Sequence, residues 1–198
     1  MKGVQTEADV ELLRESLCQR FALPEPVSTP VLIAVSGLPG SGKSFFCRQL
    51  SERLSLPILE SDVMRRRLYP TPVHDRPESE RLFRACHLLI QDFLEKGVSI
   101  IFDATNLVER HREQLYRIAD DTGAKLILVR VEAPPELVHK RLRRRKAGAD
   151  AEDNSEADWD VYRRMSQSSQ RIRRNHFAVD TSRDITPVLD KIVREVNR

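Results

Sequence analysis

Residues Gly37–Ser44 have the types and the spacing that bind a phosphate group. They read GLPGSGKS and match the pattern G-x-x-x-x-G-K-[ST] at every fixed position. Glycines let the backbone curl so that successive N–H groups face one phosphate, and a helix that begins here adds the positive end of its dipole. Lys43 would contact the β- and γ-phosphates, and Ser44 would bind Mg²⁺. The motif therefore predicts a site for a nucleoside triphosphate.

The expected nucleotide is ATP, because the sequence contains no N-K-x-D motif of the kind that recognises guanine. The residues predicted to bind it are Gly37, Pro39, Gly40, Ser41, Gly42, Lys43, Ser44 and Phe45. A structural glycine turn is the alternative, and the apolar run before the motif and the helical pattern after it argue against that reading. The motif, here called the P-loop, is compatible with a switch, a motor or a phosphotransferase.

Two carboxylates follow the next predicted strands. Asp62 comes shortly after PILE (57–60), and Asp103 closes VSIIFD (98–103). Ligands of open parallel sheets lie beyond the carboxyl ends of the strands, so both side chains are expected near the nucleotide. Asp103 is predicted to hold Mg²⁺, and Asp62 to accept a proton from an incoming hydroxyl. Position alone leaves Asp62 equally well explained as the start of a helix.

Two further polar side chains stand beside these carboxylates. Arg65 lies one helical turn after Asp62 and would share its face. Asn106 follows Asp103 in the next loop. Both are predicted to contact the phosphate acceptor, although Asn106 would equally well cap the following helix.

A basic cluster, HKRLRRRK (139–146), has Lys or Arg at six of its eight positions. Arg141 and Arg145 are four residues apart and share one helix face. Such a pair, held over the nucleotide, would neutralise charge on the phosphoryl group during transfer. We therefore predict a lid with Arg141 and Arg145 as catalytic residues. The remaining charges, Lys140, Arg143, Arg144 and Lys146, are expected to be solvated.

Composition sets wider bounds on the chain. It has 198 residues, 40% of them hydrophobic and 32% charged, with a formal net charge of +3. A net charge this small does not by itself indicate nucleic-acid binding. Three scattered cysteines without a C-x-x-C pair argue against a disulfide framework or a zinc site. With neither a signal-peptide pattern nor an apolar run of about 18 residues, a cytoplasmic protein without a membrane partner is expected.

The elements that must position these residues alternate along the chain. Five apolar runs are predicted as strands, at 31–36, 57–60, 98–103, 125–131 and 177–180. Helical patterns separate them, including a helix at 158–172 after the basic cluster. This order predicts an α/β fold with a parallel five-stranded sheet flanked by helices on both faces. A helix over 6–21 and a proline-rich linker at 24–30 precede the first strand.

Over residues 31–182 the sequence resembles the P-loop kinases related to 5′-hydroxyl polynucleotide kinases and zeta toxins. The resemblance rests on GLPGSGKS, on the D-x-x-R of Asp62 to Arg65, on FDATN (102–106), and on the R-x-x-x-R of Arg141 to Arg145. It implies a P-loop NTPase kinase fold. It also implies that Asp62 is the general base, that Arg65 contacts substrate phosphate, and that Arg145 contacts the transferred phosphate.

These observations predict an ATP- and Mg²⁺-dependent phosphotransferase that moves the γ-phosphate to a hydroxyl acceptor. A polynucleotide 5′-hydroxyl is favoured by the D-x-x-R motif, and a small metabolite such as a sugar nucleotide is the alternative. A nucleotide-dependent binding protein with little turnover is a third reading, in which Asp62 would be dispensable. The expected division is an N-terminal helix and linker at 1–30 and a kinase domain at 31–198, with its lid around 134–160.

Overall fold

Five short apolar strands pair in one parallel sheet in the computed structural model, which describes residues 2–146 and 157–198. The strands are β1 (Val31–Ser36), β2 (Ile58–Glu60), β3 (Ile100–Asp103), β4 (Lys125–Glu132) and β5 (Phe177–Asp180). Their order across the sheet is β2-β3-β1-β4-β5, so β1 lies at the centre and all six of its residues are buried. A strand covered on both faces needs a continuous apolar run, which is what the sequence has there. The predicted α/β fold and parallel five-stranded sheet are confirmed.

Helices cover both faces of this sheet. They are α1 (Lys2–Arg20), α2 (Lys43–Leu54), α3 (Ser61–Leu68), α4 (Arg76–Glu95), α5 (Glu109–Thr122), α6 (Pro135–Lys146), α7 (Trp159–Ser168) and α8 (Thr186–Val196). Successive β1 side chains point to opposite faces, as the two-residue period of a strand requires. Leu32 packs in a cluster with α1, α4 and α5, and Ile33 packs in a second cluster with α2 and α8. Each such fully buried side chain contributes roughly 1.5–3 kcal/mol to stability.

The N-terminal helix packs tightly on one of these faces. Leu13 and Leu17 of α1 are completely buried in the same cluster as the apolar side chains of α4. Asp9, also buried, accepts two hydrogen bonds of 2.6 Å from the guanidinium of Arg81 on α4. The predicted helix is therefore present and docked on the sheet-covering layer, while the division of the chain at residue 30 stays a prediction.

The register of the strands places the candidate site at one edge. Asp103 of β3 lies opposite Val35 of β1 and opposite Glu60 of β2. The carboxyl ends of these three strands therefore meet where the P-loop begins. None of the described helices is long and apolar enough to cross a membrane.

The helix predicted at 158–172 is shorter than expected. It ends at Ser168, and Ser169 adopts an extended conformation. The N–H of Gln170 then donates to the carbonyl of Leu107, 2.9 Å away, instead of continuing the helix. A tertiary backbone contact replaces local helix bonding at this point, and no local pattern encodes such a contact.

Candidate active site

The backbone between β1 and α2 has a shape that requires glycine at defined positions. Gly42 precedes α2 with a φ of 94°, a conformation that side chains with a Cβ rarely adopt. A Cβ on Gly37 would lie 2.3 Å from the carbonyl oxygen of Val131, closer than real contacts allow. The first N–H groups of α2 have no partner within the helix, as at any helix start. The loop thus has the geometry of an anion-binding turn.

The loop after β3 is hydrogen-bonded to the start of the P-loop and to the end of β1. The N–H of Gly37 donates to the carbonyl of Thr105, 3.1 Å away. The side-chain amide of Asn106 donates to the carbonyl of Val35, 2.8 Å away, and Asn106 is buried with a φ of 43°. Asn106 therefore holds the backbone at the end of β1, directly before the P-loop. The predicted contact between Asn106 and substrate stays a prediction. The buried position of its side chain, already bonded to the backbone, does not support that contact.

A cavity of about 400 Å³ opens above the P-loop, within the usual size range of small-molecule sites. The predicted site residues that line it are Pro39, Gly40, Gly42, Lys43, Ser44, Phe45, Asp62, Asp103, Arg141 and Arg145. Thr105, which the sequence offers with Asn106 as a substrate contact or a helix cap, also lines it. Residues that sequence reasoning missed line it too, namely Arg48, Glu60, Ser61, Ala104 and Arg144. Gly37 and Ser41 instead line a second cavity on another side of the P-loop.

Ser44 and Asp103 form the part of the cavity that fits Mg²⁺. The Ser44 hydroxyl donates to Oδ2 of Asp103 at 2.8 Å. Burial raises the pKa of Asp103 to about 6, although the charge of Lys43 and the bond from Ser44 oppose this. A buried carboxylate with a raised pKa lacks a sufficient counter-charge, and a divalent cation would provide it. Mg²⁺ at phosphate sites usually binds one or two protein groups together with phosphates, and Ser44 and Asp103 would be those groups.

Asp62 lies in the first turn of α3 and faces the cavity, as predicted. Beside it, Glu60 closes β2, is buried, and pairs with Arg20 at the end of α1. Glu60 and Asp62 both contribute to the raised pKa of Asp103. The N-terminal helix thus places one cation against the acidic edge of the site. The available sequence signal for Glu60 was its position at the end of an apolar strand.

Arg65 is not part of the cavity wall. It is 7% exposed, pairs with the buried carboxylate of Glu78 on α4, and donates to the Ser79 hydroxyl at 3.3 Å. The Glu78 carboxylate also accepts the backbone N–H groups of Val73 at 2.8 Å and His74 at 3.3 Å. To make the predicted contact with substrate phosphate, the guanidinium of Arg65 would have to release Glu78 or extend beyond it.

The lid helix α6 rests on the P-loop through Val138 and Leu142, whose side chains fill the space beside Gly40. Arg141 donates to the Thr181 hydroxyl at 2.8 Å, to the Thr181 carbonyl at 3.0 Å, and to the Gly40 carbonyl at 3.3 Å. It thus links the P-loop to the loop after β5. Arg145, one turn further, lines the cavity.

Arg144 is exposed, so it is solvated as well as bordering the cavity. Of the predicted lid at 134–160, residues 147–156 lie outside the described residues.

Comparison with known proteins agrees with this geometry. A family model described as an AAA domain matches residues 32–172. The chain belongs to this family. Its fold is that of the P-loop kinases, which confirms the resemblance drawn from the motifs.

Individual relatives match parts of the chain. A UPF0200 protein of Aeropyrum pernix is 34% identical over 130 residues, which cover 60% of this chain and 67% of that protein. The L-seryl-tRNA(Sec) kinase of Methanococcus maripaludis is 30% identical over 116 residues, 56% of this chain but only 44% of that kinase. The crystal structure of Chaetomium thermophilum Kti12 in complex with ADP-AlF3 covers 83% of this chain and 98% of its own, with a TM-score of 0.65 and 21% identity. At that identity the likeness shows the fold alone.

Proposed function

We propose that this P-loop kinase transfers the γ-phosphate of ATP to a hydroxyl group, with the 5′-hydroxyl of a nucleic-acid strand as the favoured acceptor. One observation carries the proposal. Lys43, the Ser44–Asp103 pair, Asp62 and Arg145 all border the same cavity of about 400 Å³. A phosphate cradle, a metal-binding carboxylate, a candidate base and a lid cation are the parts that phosphoryl transfer uses.

The roles follow from position. Lys43 donates to the carbonyl of Leu38 at 3.0 Å, and exchanging that neutral acceptor for a phosphate oxygen would fix the nucleotide. Ser44 and Asp103 would hold Mg²⁺, which would supply positive charge to the β- and γ-phosphates. Asp62 accepts the proton of the acceptor hydroxyl, and Arg145 stabilises charge on the transferred group. Most of the rate enhancement then comes from positioning and electrostatics.

Two observations support a nucleic-acid acceptor. Asp62 and Arg65 keep the D-x-x-R spacing, and the exposed Arg66 and Arg67 follow directly in the last turn of α3. One relative, by its name, phosphorylates a substrate attached to RNA.

A small-metabolite hydroxyl is the second candidate acceptor. Its support is the buried ion pair between Arg65 and Glu78, because an arginine engaged in this way offers no phosphate contact to a longer acceptor.

An acceptor panel with γ-labelled ATP tests the proposal. The panel contains a 5′-hydroxyl oligonucleotide, the same oligonucleotide already carrying a 5′-phosphate, a dinucleotide with a 3′-phosphate, a nucleoside and a sugar nucleotide. We expect label on the 5′-hydroxyl oligonucleotide and on the dinucleotide, and none on the 5′-phosphorylated control. Equal or better transfer to the nucleoside or the sugar nucleotide would replace the nucleic-acid reading with the metabolite reading.

A further inference from the structure

Residues 169–176, which connect α7 to β5, form a basic segment here called the strap, and residues 169–172 line the second cavity beside the P-loop. Its sequence, SQRIRRNH, contains three arginines and no acidic residue. Neither the P-loop nor the lid explains these charges. Their placement depends on how the strap is held.

The strap is fastened to the loop after β3 by backbone and side-chain hydrogen bonds. The N–H of Gln170 donates to the carbonyl of Leu107 at 2.9 Å, and the side-chain oxygen of Gln170 accepts from the N–H of Glu109 at 2.8 Å. Ile172 is buried in the cluster that covers the α4 and α5 face of the sheet. The strap backbone is therefore fixed at its centre.

A buried arginine completes this attachment. Arg112 on α5 is 1% exposed and donates to the carbonyls of Gln170 at 3.0 Å and Arg171 at 3.2 Å. The same guanidinium donates to the carbonyl of Asn106 at 2.7 Å. Arg112 thus joins the strap to the loop that contributes Ala104 and Thr105 to the cavity wall. The strap is therefore held beside the loop after β3, two residues of which line the active-site cavity.

The three arginines of the strap are exposed. Arg171 and Arg173 flank the buried Ile172, are exposed, and form no ion pair with any residue in the described ranges 2–146 and 157–198. Arg174, also exposed, lies over the ring of Tyr116 with 4.0 Å between guanidinium carbon and ring centre. Like charges fixed on a rigid segment repel one another, and a polyanion that binds them removes this repulsion.

We propose that the strap is a binding track for the phosphate backbone of a single-stranded nucleic acid whose end enters the cavity. This inference rests on the proposed function and names the surface that would hold the rest of the acceptor. Arginine binds phosphate through two N–H groups and also stacks on nucleobases, so exposed arginines suit an unpaired strand. The strap offers no exposed apolar side chain for insertion into a lipid surface, because Ile172 points into the core.

Salt-dependent binding tests the track without requiring turnover. The probe is a fluorescent 5′-hydroxyl oligonucleotide of about 10 nucleotides, within the usual site size for single strands. Fluorescence anisotropy gives the binding constant of the full chain over a series of salt concentrations. The double variant Arg171→Gln/Arg173→Gln is compared with Lys191→Gln/Arg194→Gln, which removes the same charge from exposed positions on α8.

Each phosphate contact on a single strand contributes about −0.7 to the slope of log K against log salt, so losing two contacts should make the slope shallower by about 1.4. We expect this change in the strap variant and none in the α8 variant. Thermal unfolding of both variants establishes that they are folded. An unchanged slope in the folded strap variant, or an equal change in both variants, would overturn the track. So would strap-dependent binding to anionic lipid vesicles with no binding to the oligonucleotide.

The track and the proposed function fail in different ways. Oligonucleotide binding that depends on the strap, without phosphate transfer to that oligonucleotide, rejects the acceptor assignment and keeps the track. Phosphate transfer to the oligonucleotide with a slope that the strap variant does not alter rejects the track and keeps the acceptor assignment.

Discussion

Two buried carboxylates have pKa values shifted in opposite directions. Asp103 lies beside the P-loop, in what is here called the nucleotide half of the site. Glu78 pairs with Arg65 between α3 and α4, the region proposed to meet the acceptor and here called the acceptor half. Burial raises the pKa of Asp103 to about 6, with Lys43 only partly opposing it. Burial also acts to raise the pKa of Glu78, but Arg65 and two backbone N–H groups outweigh it, so the pKa lies below its ordinary value. Asp103 therefore lacks a counter-charge, whereas Glu78 already has one. The nucleotide half is built to receive a cation, and the acceptor half is internally neutralised.

This difference bears on how far each half must change when substrates bind. Around Asp103 the hydroxyl of Ser44, the glycine turns and the helix start are already arranged for a metal and phosphates. Around Glu78 an incoming phosphate would compete for Arg65 with a buried carboxylate, and removing one partner of such a pair is costly. We infer that the nucleotide half is preorganised and that acceptor specificity depends on the Arg65–Glu78 pair.

The largest effect is expected from Lys43→Ala in the nucleotide half. Loss of the ammonium removes the charge that contacts the phosphates, so phosphate transfer should fall below detection. Labelled ATP measures transfer, and thermal unfolding establishes that the variant is folded. Lys191→Ala, at an exposed position on α8, is the matched control and should behave as wild type. A folded Lys43→Ala protein with near-normal transfer would show that the P-loop is not the catalytic cradle.

The nucleotide half was also the half that the sequence predicted best. Only glycine fits at Gly37, where a carbonyl lies too close for a Cβ, and at Gly42, where φ is positive. The positive φ of Gly42 is a requirement of the local backbone, which a short motif encodes. The restriction at Gly37 comes from β4, and the motif marks the glycine without naming that contact. The parallel sheet was predictable for a related reason, because the continuous apolar run of β1 is the local signature of a strand buried on both faces.

The acceptor half depends on contacts between distant segments. Arg65 was expected at the substrate, but α3 and α4 pack so that it meets Glu78, and no spacing rule anticipates that pairing. Arg112 was missed because the stretch ERHREQ is typical of a solvated helix face. Its position at helical spacing from the buried Leu115 and Tyr116 was the signal that places it on the inner side of α5.

A loss of about 10²–10⁴-fold in transfer rate is expected for Asp62→Asn, the range that a positioned general base contributes. The substitution keeps size and hydrogen-bonding capacity, so ATP binding should be unchanged. Single-turnover transfer and ATP affinity are measured separately, with Asp120→Asn at an exposed position on α5 as the control. Unchanged transfer would show that Asp62 is not the general base. Negligible transfer by both the wild type and the variant, with ATP still bound, would favour a nucleotide-dependent binding protein.

The next prediction concerns Arg145, the lid arginine that lines the cavity. Arg145→Ala should lower kcat by about 10²–10³-fold, the usual cost of removing one group that stabilises transition-state charge, with a smaller effect on ATP affinity. Arg143→Ala is the matched control two residues earlier on α6, because Arg143 is exposed and does not line the cavity. Equal losses at both positions would indicate a diffuse basic surface in place of a directed contact.

The smallest effect should come from Arg65→Lys, which separates the two roles open to this residue. Lysine keeps a positive charge beside Glu78 but loses the planar fork that binds phosphate through two N–H groups. If Arg65 contacts acceptor phosphate, kcat/KM for a dinucleotide with a 3′-phosphate should fall about tenfold more than for a bare nucleoside, since a charged hydrogen bond contributes about 1.5–3 kcal/mol. Arg84→Lys, exposed on α4, is the control. If Arg65 serves only to neutralise Glu78, both acceptors will lose activity equally and the melting temperature will fall. That result would leave the nucleotide half unaltered and would assign acceptor recognition to other groups at the cavity mouth, of which Arg144 is the first to test.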